Sequence, residues 1–350
     1  MTQRVPSESN PRETPGTSTP SSGVRPLVSV RGLSKSYSVG GGLFGRRAKV
    51  VDAVHDVSFE IGHGERLGLV GESGCGKTTT GKLLATLIPP TAGQIVFQDG
   101  EDVYDVATLR GKGLKSYRRM VQMIFQDPYE AINPRMTVLD VIAEPLKVQG
   151  VGNPLERIDR VSDMLDMVGI TPPGGYLFRR PHELSGGQRQ RVAIARALVV
   201  GPRFIVADEP TSMLDVSVRV GVTKLMRDLA DQMGISYLYI THDLATARYI
   251  CDRIAVMYLG SIVEVAETEE LLRNPQHPYT KALVSAVPVP DPTYKRPPVD
   301  LKGNIGRPID LQDRCRFYDR CPMAVEFCRA APPPPLESKS SGHLAACYRV

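Results

Sequence analysis

Residues Leu184 to Asp215 read LSGGQRQRVAIARALVVGPRFIVADEPTSMLD. Ser185 precedes Gly186 and Gly187 and is followed by helix formers as far as Val200, so it reads as the N-cap of a helix whose unpaired N–H groups attract phosphate. Gly201-Pro202 stops that helix. Phe204 to Ala207 is then a short apolar run suited to a buried parallel strand, and it delivers Asp208 and Glu209 at its carboxyl end. Carboxylates in that position belong to a nucleotide site.

Upstream, Glu65 to Val70 (ERLGLV) predicts a strand that runs into Gly71-Glu72-Ser73-Gly74-Cys75-Gly76-Lys77-Thr78, which matches G-x-x-x-x-G-K-[ST] at every fixed position. Glycines let backbone N–H groups close around the β- and γ-phosphates, Lys77 adds a point charge, and the Thr78 hydroxyl is a Mg²⁺ ligand. Thr79 to Ile88 continues as a helix. Cys75, at a variable position of the loop, reads as a small space-filler.

Between these two stretches, Gly93 to Phe97 and Met120 to Phe125 read as strands, separated by the polar stretch Gln98 to Arg119. Gln126 ends the second strand, either as a polar terminus or as an amide that ligates Mg²⁺ or places water. Pro128 to Gly150 and Leu155 to Val168 predict amphipathic helices, a helical subdomain of about residues 127–190. Downstream, a helix over Val216 to Met233 leads to the strand Ser236 to Thr241, with His242 and Asp243 at its carboxyl end. In an open α/β sheet that edge binds ligands, which favours a functional His242 over a structural one. Ala245 to Ile250 is helical and Arg253 to Glu264 is a hairpin around Gly260. At the other end of the chain, Leu27 to Tyr37 and Ala53 to Ile61 flank a glycine-rich, basic loop from Gly40 to Lys49 and suggest a small antiparallel sheet. Tyr37 either packs or stacks on a flat ring.

The composition is that of an ordinary soluble protein: 350 residues, 41% hydrophobic and 23% charged, enough for a large core. The net charge of +5 is mild and dispersed, so no nucleic-acid partner is expected. No apolar run reaches the length of a spanning helix and the first thirty residues lack a signal peptide, which predicts a cytosolic chain. Residues 1–26 are rich in Ser, Thr, Pro and Gly and predict a disordered tail. Past residue 265, Glu267 to Arg273 and His277 to Leu283 open short helices, and Pro288 to Pro308 is a proline-rich connection. Cys315, Cys321, Cys328 and Cys347 follow with the spacing C-x5-C-x6-C-x18-C. A reducing cytosol argues against disulfides, and zinc sites usually carry close C-x(2 to 4)-C pairs, which are absent; an iron–sulfur cluster, zinc and free thiols all stay open on spacing alone.

The ordered set Gly71 to Thr78, Gln126, Leu184 to Gln188, Asp208-Glu209 and His242 resembles the ATP-binding cassette (ABC) ATPases over about residues 27–265. LSGGQ is peculiar to that family among P-loop proteins. The resemblance implies an α/β fold: a P-loop NTPase cassette with a RecA-like core, an antiparallel β subdomain and an inserted α-helical subdomain. It implies that Tyr37 stacks adenine, that Gly71, Ser73, Gly74, Gly76, Lys77, Thr78 and Thr79 hold the phosphates of ATP, and that Thr78, Gln126 and Asp208 serve Mg²⁺. Glu209 would be the general base, with His242 and Gln126 completing the catalytic set. Ser185, Gly186, Gly187 and Gln188 would close over the nucleotide of a second subunit, so this stretch serves two ATP sites.

QDPYEAINPRMTV, HPYTKAL and the four tail cysteines look like the ATPase subunits of bacterial oligopeptide and dipeptide permeases, the second of two paralogues in particular. That likeness implies a small Cys-rich extension over residues 266–350 carrying a [4Fe–4S] cluster, with zinc as the alternative. It also implies a paralogous ATPase partner in a heterodimer, two transmembrane permease subunits, an extracytoplasmic substrate-binding protein, and a peripheral place on the cytoplasmic face of the membrane. Related systems carry nickel complexes or glutathione. A non-transport ABC ATPase of translation or DNA repair is the alternative class, disfavoured by a single cassette without extended heptads. Met213, where many relatives have alanine, and the long amino-terminal tail depart from the family pattern.

Overall fold

The computed structural model describes residues 25–39, 49–287, 301, 306 and 308–350. The predicted amino-terminal tail up to residue 24, most of the glycine-rich loop and most of the proline-rich connection lie outside them. Two sheets organise the described residues. β1 (Val28–Val39) and β2 (Lys49–Ile61) open the first, β3 (Arg66–Val70) begins the second, and β4 (Ala92–Asp99) with β5 (Asp102–Asp105) completes the first, antiparallel in the order β2-β1-β4-β5. The second sheet gains β6 (Val121–Ile124), β7 (Phe204–Asp208), β8 (Ser236–Thr241), β9 (Arg253–Tyr258), β10 (Ser261–Glu267), β11 (Glu337–Ser340) and β12 (His343–Ala345). Its order is β11-β12-β10-β9-β3-β8-β7-β6, and the run from β9 to β6 is parallel. Every residue of β7 and β8 is buried, as unbroken apolar runs require when helices cover both faces. The carboxyl ends of β3, β6, β7 and β8 therefore share one edge.

The helices are α1 (Lys77–Leu84), α2 (Gly111–Met120), α3 (Pro128–Ala131), α4 (Val138–Gln149), α5 (Pro154–Met167), α6 (Gly186–Leu198), α7 (Val216–Met233), α8 (Leu244–Ile250), α9 (Thr268–Arg273), α10 (Pro278–Ser285) and α11 (Glu326–Ala330). α1 ends short of Ile88 because Thr86 takes φ of 55° and the Leu87 N–H turns back to the Lys82 carbonyl at 2.9 Å. α2 stands where only a polar stretch was expected. Its apolar period is short, Leu114, Tyr117 and Met120 in an otherwise polar helix; Tyr117 is its one buried residue and pins it by donating its hydroxyl to the Leu84 carbonyl at 2.7 Å and setting its ring edge-on to Phe97. The inserted helices are locally specified: Thr137 caps α4, and Asn153 forms a capping box with Glu156 on α5. Val138, Ile142, Val161, Leu165 and Val192 bury the faces that α4, α5 and α6 turn to one another.

The Cys-rich extension is built into the cassette. β12 pairs with β10 through Glu264↔Ala345 and Val265↔Leu344, extending the main sheet. Glu264 is fully buried and accepts from the N–H groups of Gln276 and His277 at 2.7 and 2.8 Å, with His343 Nε2 at 2.7 Å, so the buried carboxylate is fully engaged. At the opposite side, Ile309 bridges Val51 of β2, and Val50 and Asp310 exchange two bonds of 2.9 Å.

Candidate active site

The phosphate loop leaves the carboxyl end of β3 under tight steric control. A Cβ on Gly71 would lie 2.2 Å from the Met257 carbonyl oxygen, and one on Gly76, whose φ is 112°, would lie 2.2 Å from that of Ala53. Only glycine fits either place. Gly74 has φ of 79°, Ser73 beside it is exposed, and Thr79 is half-buried in the first turn of α1. Cys75 is buried, with its thiol raised by burial, in keeping with a space-filler. Lys77 is buried and donates through Nζ to the carbonyls of Gly71 at 2.7 Å and Glu72 at 3.0 Å. Its ammonium stands in the loop on neutral acceptors, which an anionic phosphate can outbid.

Thr78 Oγ1 donates to Asp208 Oδ1 at 3.0 Å, joining the start of α1 to the end of β7. Burial raises the Asp208 carboxyl, and the Thr78 hydrogen bond opposes that shift. Together they offer adjacent oxygens of the kind a hard divalent cation takes. Next along the chain, Glu209 adopts φ of 43°, a left-handed backbone unusual for a residue with a side chain, fixed by its N–H bond of 2.9 Å to the Ile240 carbonyl. Its Oε2 lies 3.0 Å from His242 Nδ1 and 3.5 Å from Gln126 Nε2. Gln126, Glu209 and His242 follow β6, β7 and β8, so strand order brings together residues 83 and 33 positions apart. A carboxylate oriented by an imidazole and an amide can take a proton from water.

Ser185, Gly186, Gly187 and Gln188 stand apart from that cluster. Among the described residues their side chains form no hydrogen bond to the phosphate loop, Asp208 or Glu209. Ser185 Oγ accepts from the Gln188 N–H at 3.3 Å, Gln188 Oε1 accepts from the Ser185 N–H at 3.0 Å, and Gln188 Nε2 donates to the Tyr176 hydroxyl. Without any local sequence signal, the Arg189 guanidinium stacks 3.7 Å above the ring of Tyr129 on α3, tying the start of α6 to the turn after Gln126. Tyr37 sits near the exposed end of β1 opposite Val51, 40% exposed, with Lys35 Nζ 5.2 Å from its ring centre.

Cys315, Cys321, Cys328 and Cys347 line one small cleft, with His277, Phe317 and Tyr318 among its other walls. Burial, followed by the neighbouring thiols, pushes Cys315 up to about 11. Among the described residues no group of three or more His, Cys, Asp or Glu is drawn together closely enough to hold a metal ion. That observation supports neither the zinc nor the iron–sulfur expectation.

The ABC transporter family matches residues 54–212, and the oligopeptide/dipeptide transporter C-terminal region matches residues 263–328. A Brucella ovis protein named for peptide import and ATP binding is 48% identical over 324 residues, 93% of this chain and 98% of that protein. The oligopeptide transport ATP-binding protein AppF of Bacillus subtilis is 43% identical over 324 residues, 92% of this chain and 97% of its own length. Among solved structures, the dimeric ATP-binding cassette MJ0796 in a post-hydrolysis state bound to ADP and Pi matches with a TM-score of 0.60 at 28% identity, covering 69% of this chain and 99% of that one. The chain belongs to the ATP-binding subunits of the ABC transporter family and is an ATPase. No helix among the described residues is long and apolar enough to cross a membrane.

Proposed function

We propose that this chain hydrolyses ATP to energise import of di- and oligopeptides through two separate permease subunits, paired with a paralogous ATPase and fed by an extracytoplasmic binding protein. The observation that carries the chemistry is the convergence of Gln126 and His242 on one oxygen of Glu209, beside the Thr78–Asp208 pair. In this reading Glu209 takes the proton of the attacking water, His242 holds the Glu209 carboxylate and meets the γ-phosphate, and Asp208, Thr78 and Gln126 serve Mg²⁺. Lys77 and the amides of Gly71 to Thr79 bind the phosphates, while Tyr37 stacks the adenine. Positioning and charge stabilisation carry most of a phosphoryl transfer, so this small set suffices. Peptides are favoured as the solute by the names of the relatives and by the matched C-terminal region. Glu209→Gln is expected to retain ATP binding and lose roughly 10² to 10⁴ in turnover; near wild-type hydrolysis would remove Glu209 as base.

The four tail cysteines suit a [4Fe–4S] cluster better than one ion, because each iron takes a single thiolate and the four sulfurs need not meet at one point. Such a group would supply cross-links between β12, α11 and the turn before it. Anaerobically purified protein should absorb near roughly 400 nm and carry iron and sulfide; colourless, iron-free protein would remove the cluster.

A further inference from the structure

The extension reaches the phosphate loop through residues that no motif names. Arg320 donates through Nη1 and Nη2 to the two carboxylate oxygens of Glu72, the second residue of the loop, at 2.8 and 3.1 Å. The Tyr279 hydroxyl accepts the Glu72 N–H at 2.9 Å, and the Glu72 carbonyl accepts from Lys77. The amide, carboxylate and carbonyl of Glu72 are thus all engaged, two of them by the extension. Arg320 is 8% exposed at its side chain and Glu72 20%, so this forked pair is shielded far more than an ordinary surface ion pair. The rings of Tyr258, Tyr279 and Phe317 support it, with centroids 4.7 to 5.6 Å apart, and the Arg320 guanidinium lies 5.7 Å from the Tyr258 ring. Phe317 also walls the cysteine-lined cavity.

A carboxylate in a phosphate-binding loop opposes its ligand. Left unpaired, Glu72 would repel a polyphosphate only a few residues from the amides that bind it. We propose that Arg320 and Tyr279 are positioning residues of the nucleotide site: Arg320 holds and neutralises the Glu72 carboxylate and Tyr279 fixes the Glu72 amide, so that the extension sets the chain's affinity for ATP. The inference rests on the chain being an ATP-binding cassette.

Calorimetric titration of the full chain with ATP tests it. Arg320→Ala is expected to weaken ATP binding about tenfold, and adding Glu72→Gln to restore most of that loss by removing the charge Arg320 had neutralised. A purely structural role would not show this restoration. Unchanged ATP affinity in folded Arg320→Ala protein overturns the proposal, as does a loss that Glu72→Gln fails to restore. Should Arg320→Ala not fold, Tyr279→Phe keeps the ring stack and removes only the acceptor of the Glu72 N–H; ATP binding weakened about threefold supports the proposal, and wild-type affinity overturns it. A wild-type chain that bound no ATP would instead defeat the cassette reading itself.

Discussion

Two helices of this chain begin at glycine-containing motifs suited to anions, and their first turns are finished in different ways. α1 starts after Gly76, held in a left-handed conformation with no side-chain cap, and its neighbours Lys77 and Thr78 reach the loop carbonyls and Asp208. α6 starts with a complete capping box, Ser185 and Gln188 satisfying each other's backbone N–H groups. The first motif is completed inside the chain, where β3 and β7 supply the loop and the carboxylate. The second is closed on itself and tied to α3 through Arg189 and Tyr129, which suits a surface that meets its ligand on another subunit. On the proposed reading, one kind of local physics, the unpaired amides of a helix start, serves an internal site in one place and a second subunit's site in the other.

That contrast can be broken or sharpened by substitution. The largest effect is expected at α1: Lys77→Ala removes the only side-chain cation in the loop and should weaken ATP binding roughly 10- to 100-fold, read by calorimetry. Unchanged affinity would mean that α1 is no more a phosphate site than α6. Gly187→Asp acts on the other helix. Its Cβ would lie 2.6 Å from Val218 Cγ1, and its carboxylate would occupy the amides offered to an incoming phosphate. Binding of ATP to the chain's own loop should stay within about twofold, because among the described residues no hydrogen bond of Ser185 or Gln188 reaches that loop, while ATP-driven dimer closure, followed by light scattering, is lost. Closure that survives would return the α6 terminus to a service within its own subunit. The smallest effect is expected from Ser185→Ala, which opens the capping box and should cost about 1 kcal/mol in thermal stability with no change in ATP affinity.

Local signals made much of this molecule legible. The buried runs Phe204–Asp208 and Ser236–Thr241 announce parallel strands, and Asp208, Glu209 and His242 can be placed on one edge because parallel strands share their carboxyl ends; Gln126 takes its role only from the family resemblance. The capping box of α6 was readable in part, as Ser185 before its glycines. What stayed hidden is long-range or polar. α2 buries only Tyr117 fully, with Leu114 and Met120 half-buried beside it. The Arg320–Glu72 pair spans 248 positions and Glu264–His343 spans 79, and no periodicity encodes such meetings. Cysteine spacing showed four thiols in the extension, and only the fold shows that they line one cavity. Glu209's left-handed backbone arises from its bond to Ile240 on the neighbouring strand, another contact without a local signature.

The central proposal is that α6 completes the nucleotide site of a second subunit, and ATP turnover per chain across a dilution series, with the proposed ATPase partner at a fixed ratio, tests it most directly. The account predicts a specific activity that falls as the subunits separate and is restored on concentration. A specific activity that stays constant down to the isolated chain would contradict it.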